Sequence, residues 1–472
     1  MRLYVGLATL TGRSRFALWA FTFVPLAGLY LATLRTPTTI ANFDPAAVSP
    51  SAWAIAHHGT PVLPLRDWPA LNQWYVPEGG GQVVSNRSPG LVFMAVPFYF
   101  LVRSADADDQ MPSAIVAALA TAAAMAVLAL VVRRIASPRA AWAAALIAGT
   151  ATTTWTVSGT SLWPHGPDQL FLLIALLGVS GERYARGGFG FAASVLTRPP
   201  LAVIAAVTGL YESWRRRSWR PALVIGAWST AGLGVFLVYS AAYWHGGIDS
   251  QYAAVGGHPV ATFFDVTPDA WWSFAVNVFG TFAALGHGIL TTSPFLIPLA
   301  AGLPVAWRKA PGWARSTAIG GIVYLAVQLK ANRFNGGEGF WGYRYPLPML
   351  TLAAPLLVLA WREWVAPVAK RNAAFMALVI ISIADEVIGA TCFATPDYYN
   401  HVPGLQKHMA WLPANLNGVL TGPRAVPAAA ILAAGTVLAV VVYRRMSRTS
   451  DGPYVSDVAR SDNNLFAFAI ED

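Results

Sequence analysis

Residues 189–211 read Phe-Gly-Phe-Ala-Ala-Ser-Val-Leu-Thr-Arg-Pro-Pro-Leu-Ala-Val-Ile-Ala-Ala-Val-Thr-Gly-Leu-Tyr. The stretch is long and apolar enough to cross a bilayer once, since ~20 such residues span the hydrocarbon. Its flanks forbid that reading. Arg183 and Arg186 precede it, and Arg215, Arg216 and Arg217 follow it. Arginine clusters in short loops mark the cytoplasmic side of a membrane, so the stretch must enter and leave on that side. Pro199 and Pro200 stand at its middle. Proline lacks the N–H and clashes with the preceding turn, so a helix breaks there. Two half-helices meeting at Thr197-Arg198-Pro199 satisfy both constraints. Irregular backbone at membrane depth needs protein or water around it.

The rest of the chain agrees with a lipid solvent. Of 472 residues, 56% are hydrophobic and 11% charged, against roughly 25% charged in soluble domains. Apolar runs at 16–34, 112–132, 140–157, 170–181, 221–241, 289–307, 316–329, 345–361, 372–392 and 426–443 are expected spans. Arg13 and Arg15, Arg133, Arg134 and Arg139, Arg308, Lys309 and Arg315, Arg362, Lys370 and Arg371, and Arg444, Arg445 and Arg448 then fall on one side with the clusters around 189–211. This is the positive-inside pattern and puts both termini in the cytoplasm. The formal charge of +10 is accounted for by that pattern, so nucleic acid is not an expected partner. The run 16–34 reads as a retained first helix, not a cleaved signal. Leu91–Val102 is short, and a full crossing there would invert the placement of Arg133 and Arg134. The expected organisation is an all-α polytopic membrane domain over 1–445 and a cytoplasmic tail over 446–472. The first outer loop, 35–88, is too long and too rich in Trp, Pro and Gly to be a plain connector.

The outer side carries the candidate chemistry. Asp44, in Asn42-Phe43-Asp44-Pro45, follows the first helix at the membrane surface. A carboxylate there suits a general base acting on an acceptor hydroxyl; Asp before Pro is also a common helix start. Arg87, in Val84-Ser85-Asn86-Arg87-Ser88-Pro89-Gly90, sits at an apolar boundary where paired donors suit a lipid phosphate. Snorkelling explains such an arginine equally well. Arg198 lies inside an apolar segment, where ionisable residues are costly and usually functional. The loop 332–345 holds Gly336-Gly337-Glu338, Trp341, Tyr343, Arg344 and Tyr345. Glu338 suits sugar hydroxyls, Trp341 and Tyr345 suit stacking, and Arg344 is a further phosphate candidate; an aromatic belt accounts for the aromatics alone. All eight histidines fall in the expected outer loops, and His57, His58, His165, His258 and His287 are candidate substrate contacts. The single cysteine, Cys392, excludes an intramolecular disulfide and a Cys-rich metal site. There is no P-loop, no GxGxxG before a helix and no HExxH. Arg greatly outnumbers Lys, which occurs only at 309, 330, 370 and 407. With abundant Ala, this reads as a GC-rich bacterial gene.

Several strings together resemble the GT-C superfamily of membrane glycosyltransferases. These are Asp44 after the first helix, SNRSPGLVFMAVPFY from Ser85, SPRAAWAAALIAGTATTTWTVSGT from Ser137, LTRPPLAVIA from Leu196, GHGILTTSPFLIPL from Gly286 and GGEGFWGYRYPLPML from Gly336. The family often has paired acids in the first loop; here Asp67 and Glu78 stand well apart from Asp44. The resemblance implies a GT-C-like helix bundle with juxtamembrane helices in the first loop, set in a bacterial inner membrane. It implies an inverting glycosyltransferase acting on the extracytoplasmic face. The donor would be a polyprenyl-phosphate sugar, mannose or arabinofuranose, and the acceptor a cell-envelope glycan or glycolipid. In that scheme Asp44 is the base and Arg87, Arg198 and Arg344 hold the donor phosphate. No cofactor is implied, and a divalent metal is allowed but not required. A lipid-linked glycan transporter, or a glycan ligase of another membrane fold, is the alternative.

Overall fold

The computed structural model describes residues 12–34, 43–64, 75–246, 259–285, 287–334, 340–392 and 437. The elements in chain order are α1 (Gly12–Ala32), α2 (Phe43–Ala46), α3 (Val48–His58), β1 (Leu63–Pro64), β2 (Tyr75–Gly79), β3 (Gln82–Ser85), α4 (Pro89–Leu101), α5 (Met111–Val132) and α6 (Pro138–Thr150). A π turn at Thr154–Ser158 leads to α7 (His165–Val179), α8 (Tyr184–Thr197), a 3-10 turn at Pro199–Leu201, α9 (Ala202–Arg216) and α10 (Arg220–Tyr243). Then come α11 (Pro259–Phe264), α12 (Pro268–Ala283), α13 (Ile289–Thr292), α14 (Leu296–Lys309), α15 (Gly312–Ala331) and α16 (Leu347–Ala360). A second π turn at Trp361–Val365 precedes α17 (Ala369–Cys392). Four helices among the described residues, α1, α5, α10 and α17, are long and apolar enough to cross a membrane. The expected span at 426–443 and the tail 446–472 lie outside the described residues, apart from residue 437.

The stretch 189–211 folds as two helices. α8 stops at Arg198, whose backbone is extended (φ −157°, ψ 97°), and the chain resumes through Pro199 and Pro200. At 14 and 15 residues, α8 and α9 each run ~21–22 Å at 1.5 Å per residue. Their ends away from the Arg198 break come back together. Arg216 pairs with Glu182, Tyr184 donates to Glu212 Oε2 at 3.3 Å, and Arg215 packs on Gly312. Arg134 donates to the Ser180 carbonyl at 3.2 Å and Arg362 to that of Ile135 at 2.7 Å. The basic loops therefore gather at one end of the bundle, and the Arg198 break points to the other.

α4 does not traverse the bundle. Tyr99 near its end donates to the Asp109 carbonyl at 2.5 Å and meets Ser113 at 3.1 Å at the start of α5. Ser113 in turn meets Ser49 of α3 at 3.0 Å. Both ends of α4 thus stay with the first loop, which leaves Arg133 and Arg134 at the basic end. That loop carries the juxtamembrane helices α2 and α3 and also a small antiparallel sheet, in order β1-β3-β2. Gly79, Gly80 and Gly81 turn between β2 and β3 with φ of 85°, 58° and 74°.

Three expected boundaries shift. The run 140–157 ends its α-helix at Thr150 and continues as a π turn, with Thr152 donating to the Ala148 carbonyl at 2.6 Å and contacting Thr154 at 2.9 Å. The run 289–307 breaks at Ser293-Pro294, because Pro294 cannot continue a helix. His165 begins α7 in place of a connecting loop and is buried, its Nδ1 facing Arg198.

Glycine sets the approach of α7, α8 and α10. A Cβ on Gly178 would stand 2.4 Å from the Gly187 nitrogen, on Gly190 2.5 Å from the Ala175 nitrogen, and on Gly232 2.4 Å from the Ala192 oxygen. Close backbone approach is the usual way membrane helices gain van der Waals contact. Gly190→Val is expected to cost ~1–3 kcal/mol through overpacking, whereas Gly226→Ala, with nothing within 4 Å, is neutral. Thermal unfolding of the two variants in detergent checks this; equal melting would remove the packing account.

Candidate active site

Arg198 sits at the corner between α8 and α9 at 8% exposure. An ion in such a place needs partners. One guanidinium nitrogen donates to Gln328 Oε1 at 3.0 Å, at the far end of α15 from the basic loops. Another lies 3.3 Å from His165 Nδ1. Guanidinium only donates, so Nδ1 is the acceptor and the ring proton belongs on Nε2. The guanidinium carbon stands 5.1 Å from the Tyr345 ring centre and 5.8 Å from that of Tyr324. Beside it Thr197 donates to Asp168 Oδ1 at 2.6 Å, one turn below His165 on α7. The corner thus has a cation, a neutral imidazole and a buried carboxyl within a few residues of one another.

The segment 340–345 brings the second cation. Arg344 lies over three rings, 4.6 Å from Trp163, 5.0 Å from Phe340 and 5.1 Å from Tyr345. Both arginines therefore share the Tyr345 ring. Cation–π contact holds each guanidinium against the ring faces. The segment is pinned residue by residue. His287 Nδ1 contacts the Gly342 carbonyl. Thr153 donates to the Tyr343 carbonyl at 2.6 Å, and the Tyr343 hydroxyl meets Ser293 at 2.9 Å. Gly342 has φ of 77°, and a Cβ there would stand 2.3 Å from Thr153 Cγ2. Only glycine passes that corner without strain.

The structure gathers some candidates and separates others. Arg198, Arg344, His165 and Tyr345 meet, with His287 5.5 Å from Phe340 between ring centres. Arg87 is half-buried, donating to Asn86 Oδ1 at 2.8 and 2.6 Å. It stands three residues before Gly90, whose added Cβ would lie 2.8 Å from the Leu196 and Thr197 backbone. The α4 start is thus packed on the α8 end that carries Arg198. Trp341 is buried, its indole donating to Asp385 Oδ2 at 3.0 Å. His57 and His58 are exposed on α3, packed on Trp53. His258, Glu338 and the Asp44 side chain lie outside the described residues. The backbone of Asp44 belongs to α2. Val48, four residues on, packs in one cluster with Leu162, which adjoins the Trp163 beneath Arg344. Among the described residues no three His, Cys, Asp or Glu side chains gather as a metal cage.

Several participants were not singled out from the sequence. Gln328 anchors Arg198, Asp168 holds Thr197, and Trp163 backs Arg344. Asp385 and Glu386 fasten the 340–345 segment and the π turn, Thr156 donating to Glu386 Oε2 at 2.7 Å. Gln328, Asp168, Asp385 and Glu386 have a visible signal, a polar or acidic residue in an apolar helix, which at membrane depth calls for a partner; Trp163, which precedes α7, has none.

In fold, the chain is similar to ArnT from Cupriavidus metallidurans, with 14% identity and a TM-score of 0.51 over 92% of this chain and 76% of that one. It also aligns with the Archaeoglobus fulgidus oligosaccharyltransferase at 12% identity and a TM-score of 0.45, over 96% of this chain and 60% of that one. No protein-family model matches the chain, and no curated protein sequence does. The polytopic helix-bundle fold expected from the sequence is thus one that a solved membrane-protein structure shares. At these identities the likeness is one of fold.

Gln328→Leu is expected to destabilise the protein by ~1–3 kcal/mol, because a buried charged donor loses its acceptor. Gln328→Glu, which offers a carboxylate to Arg198, should melt above the Leu variant. The reverse order in detergent unfolding would show that Gln328 does not anchor the arginine.

Proposed function

We propose that the chain is an inverting glycosyltransferase that moves a sugar from a polyprenyl-phosphate donor to a cell-envelope glycan or glycolipid. The observation that carries this reading is the convergence of Arg198 and Arg344 on one ring, each guanidinium carbon 5.1 Å from the centre of Tyr345, at the end of the bundle away from the basic loops. The donor phosphate sits between the two guanidiniums, with Arg87 approaching from the α4 start. In the transition state the bond from the anomeric carbon to the phosphate oxygen breaks and negative charge builds on the phosphate. Cations already in place there stabilise that charge more than the ground state. His165 and Gln328 keep Arg198 in position.

Asp44 acts as the general base. It takes the proton of the acceptor hydroxyl while that oxygen attacks the anomeric carbon from the face opposite the phosphate, which inverts the centre. The donor's own phosphoester supplies the driving force, so no nucleotide is consumed. In this reading the basic loops and both termini face the cytoplasm and the arginine pair faces the extracytoplasmic side, in keeping with the positive-inside pattern. Mannose and arabinofuranose are the sugars this reading puts forward.

Purified protein in nanodiscs, offered synthetic polyprenyl-phosphate mannose and arabinofuranose, tests the reading. Wild type should transfer one of them. Asp44→Asn should bind the donor and fail to transfer, while Asp67→Asn retains full activity. Arg198→Ala should lower the rate by ~100-fold or more and weaken donor binding. An EDTA arm assigns the phosphate charge to arginine if the rate survives, and to a divalent cation as well if it falls. Equal activity of wild type and Asp44→Asn would remove the base assignment. A folded wild type that binds both donors and transfers neither would favour lipid-linked glycan transport.

A further inference from the structure

At the basic end the charged side chains divide into two sets. One set is neutralised: Arg215 and Arg216 reach Glu212, Arg216 also pairs with Glu182, and Lys309 and Arg362 share Glu363. The other set is Arg15 on α1, Arg134 just past α5, and Arg183 and Arg186 at the start of α8, all exposed. Arg134 folds over the α7–α8 turn. It donates to the Ser180 carbonyl at 3.2 Å, and a Cβ on Gly181 would stand 2.9 Å from its Nη2. Partial loss of solvent at the α7–α8 turn, and then repulsion from Arg15, Arg183 and Arg186, lower its pKa. Among the described residues no carboxylate pairs with these four, and the adjacent acid, Glu182, is engaged by Arg216. Like charges drawn together by three helices cost free energy that a matching anion offsets.

The membrane-facing surface beside the cluster is built for hydrocarbon. Phe16, next to Arg15, is 70% exposed. It stacks on Trp19 at 6.3 Å, and Trp19 stacks on Phe23 at 4.7 Å. Trp142 of α6 closes the far side of this face, donating to the Phe21 carbonyl at 3.2 Å. Arg139, exposed one turn before Trp142 on α6, extends the positive rim. A soluble anion would meet only the charges; a phospholipid meets the charges and the aromatic wall together.

We propose that Arg15, Arg134, Arg183 and Arg186 form a headgroup site for an anionic phospholipid with two phosphates, its chains lying along the α1–α6 aromatic face. Two phosphodiesters match four arginines better than one does, because guanidinium pairs with phosphate through two parallel donors. Basic pockets between membrane helices are suited to such headgroups. The site is at the opposite end from Arg198 and Arg344 and stands independently of the transfer reading.

Native mass spectrometry of full-length protein from nanodiscs tests this. The lipids are phosphatidylcholine doped with diphosphatidylglycerol or with phosphatidylglycerol at equal total phosphate. Wild type should retain one diphosphatidylglycerol in preference to phosphatidylglycerol. The Arg134→Gln, Arg183→Gln double variant should bind it roughly 30-fold more weakly. Arg220→Gln, which removes an exposed charge of the same end on α10, should bind as wild type does. If the double variant does not fold, Arg186→Gln alone should weaken retention roughly fivefold. Equal retention by a folded variant and wild type would overturn the site. So would displacement of the lipid by inorganic pyrophosphate at equal concentration, which would make it a patch for soluble anions.

Discussion

A guanidinium held inside a helix bundle has to be paid for by its surroundings, and Arg198 is that group here. An arginine at membrane depth costs ~3 kcal/mol even with relaxation. The chain meets the cost by placing Gln328, His165 and two tyrosine rings around it. Those partners come from α7, the end of α15 and the entry to α16, so the position of one charge fixes how four elements meet. The double proline creates the corner, and the glycine contacts of α7, α8 and α10 let the two half-helices lie close enough to present it.

The second arginine depends on the same frame. Arg344 shares Tyr345 with Arg198, and the segment that carries it is fixed by hydrogen bonds to Thr153 just before the π turn, to Ser293 and to α17. Those anchors explain why helices far apart in sequence converge here. The Thr-rich segment 150–160 is buried because it supplies hydroxyls to backbone carbonyls that a broken helix leaves open. In the proposed reaction, cations held by fixed donors and rings need little rearrangement when charge develops on the donor phosphate.

Much of this was legible in the sequence. The re-entrant pair followed from a Pro-Pro inside an apolar run bracketed by arginines, and Arg198 followed from its cost at that depth. The basic loops meet at one end as their spacing required. The sheet in the first loop was not legible, since β1 has two residues and β2 contains Pro and Gly, which leaves no alternating pattern. Gln328, Asp168 and Glu386 were hidden for another reason. A single polar residue in an apolar helix announces that it needs a partner without saying which helix supplies it. His165 was placed in a loop because hydropathy rises only at Leu170, although Pro167 and Asp168 are ordinary first-turn residues.

The most direct measurement is a cryo-electron microscopy structure of the protein in nanodiscs with a polyprenyl phosphate bound. The phosphate should lie within hydrogen-bond reach of both Arg198 and Arg344, with the prenyl chain leaving toward lipid. A phosphate bound elsewhere, with both arginines still resting on Tyr345, would contradict that placement.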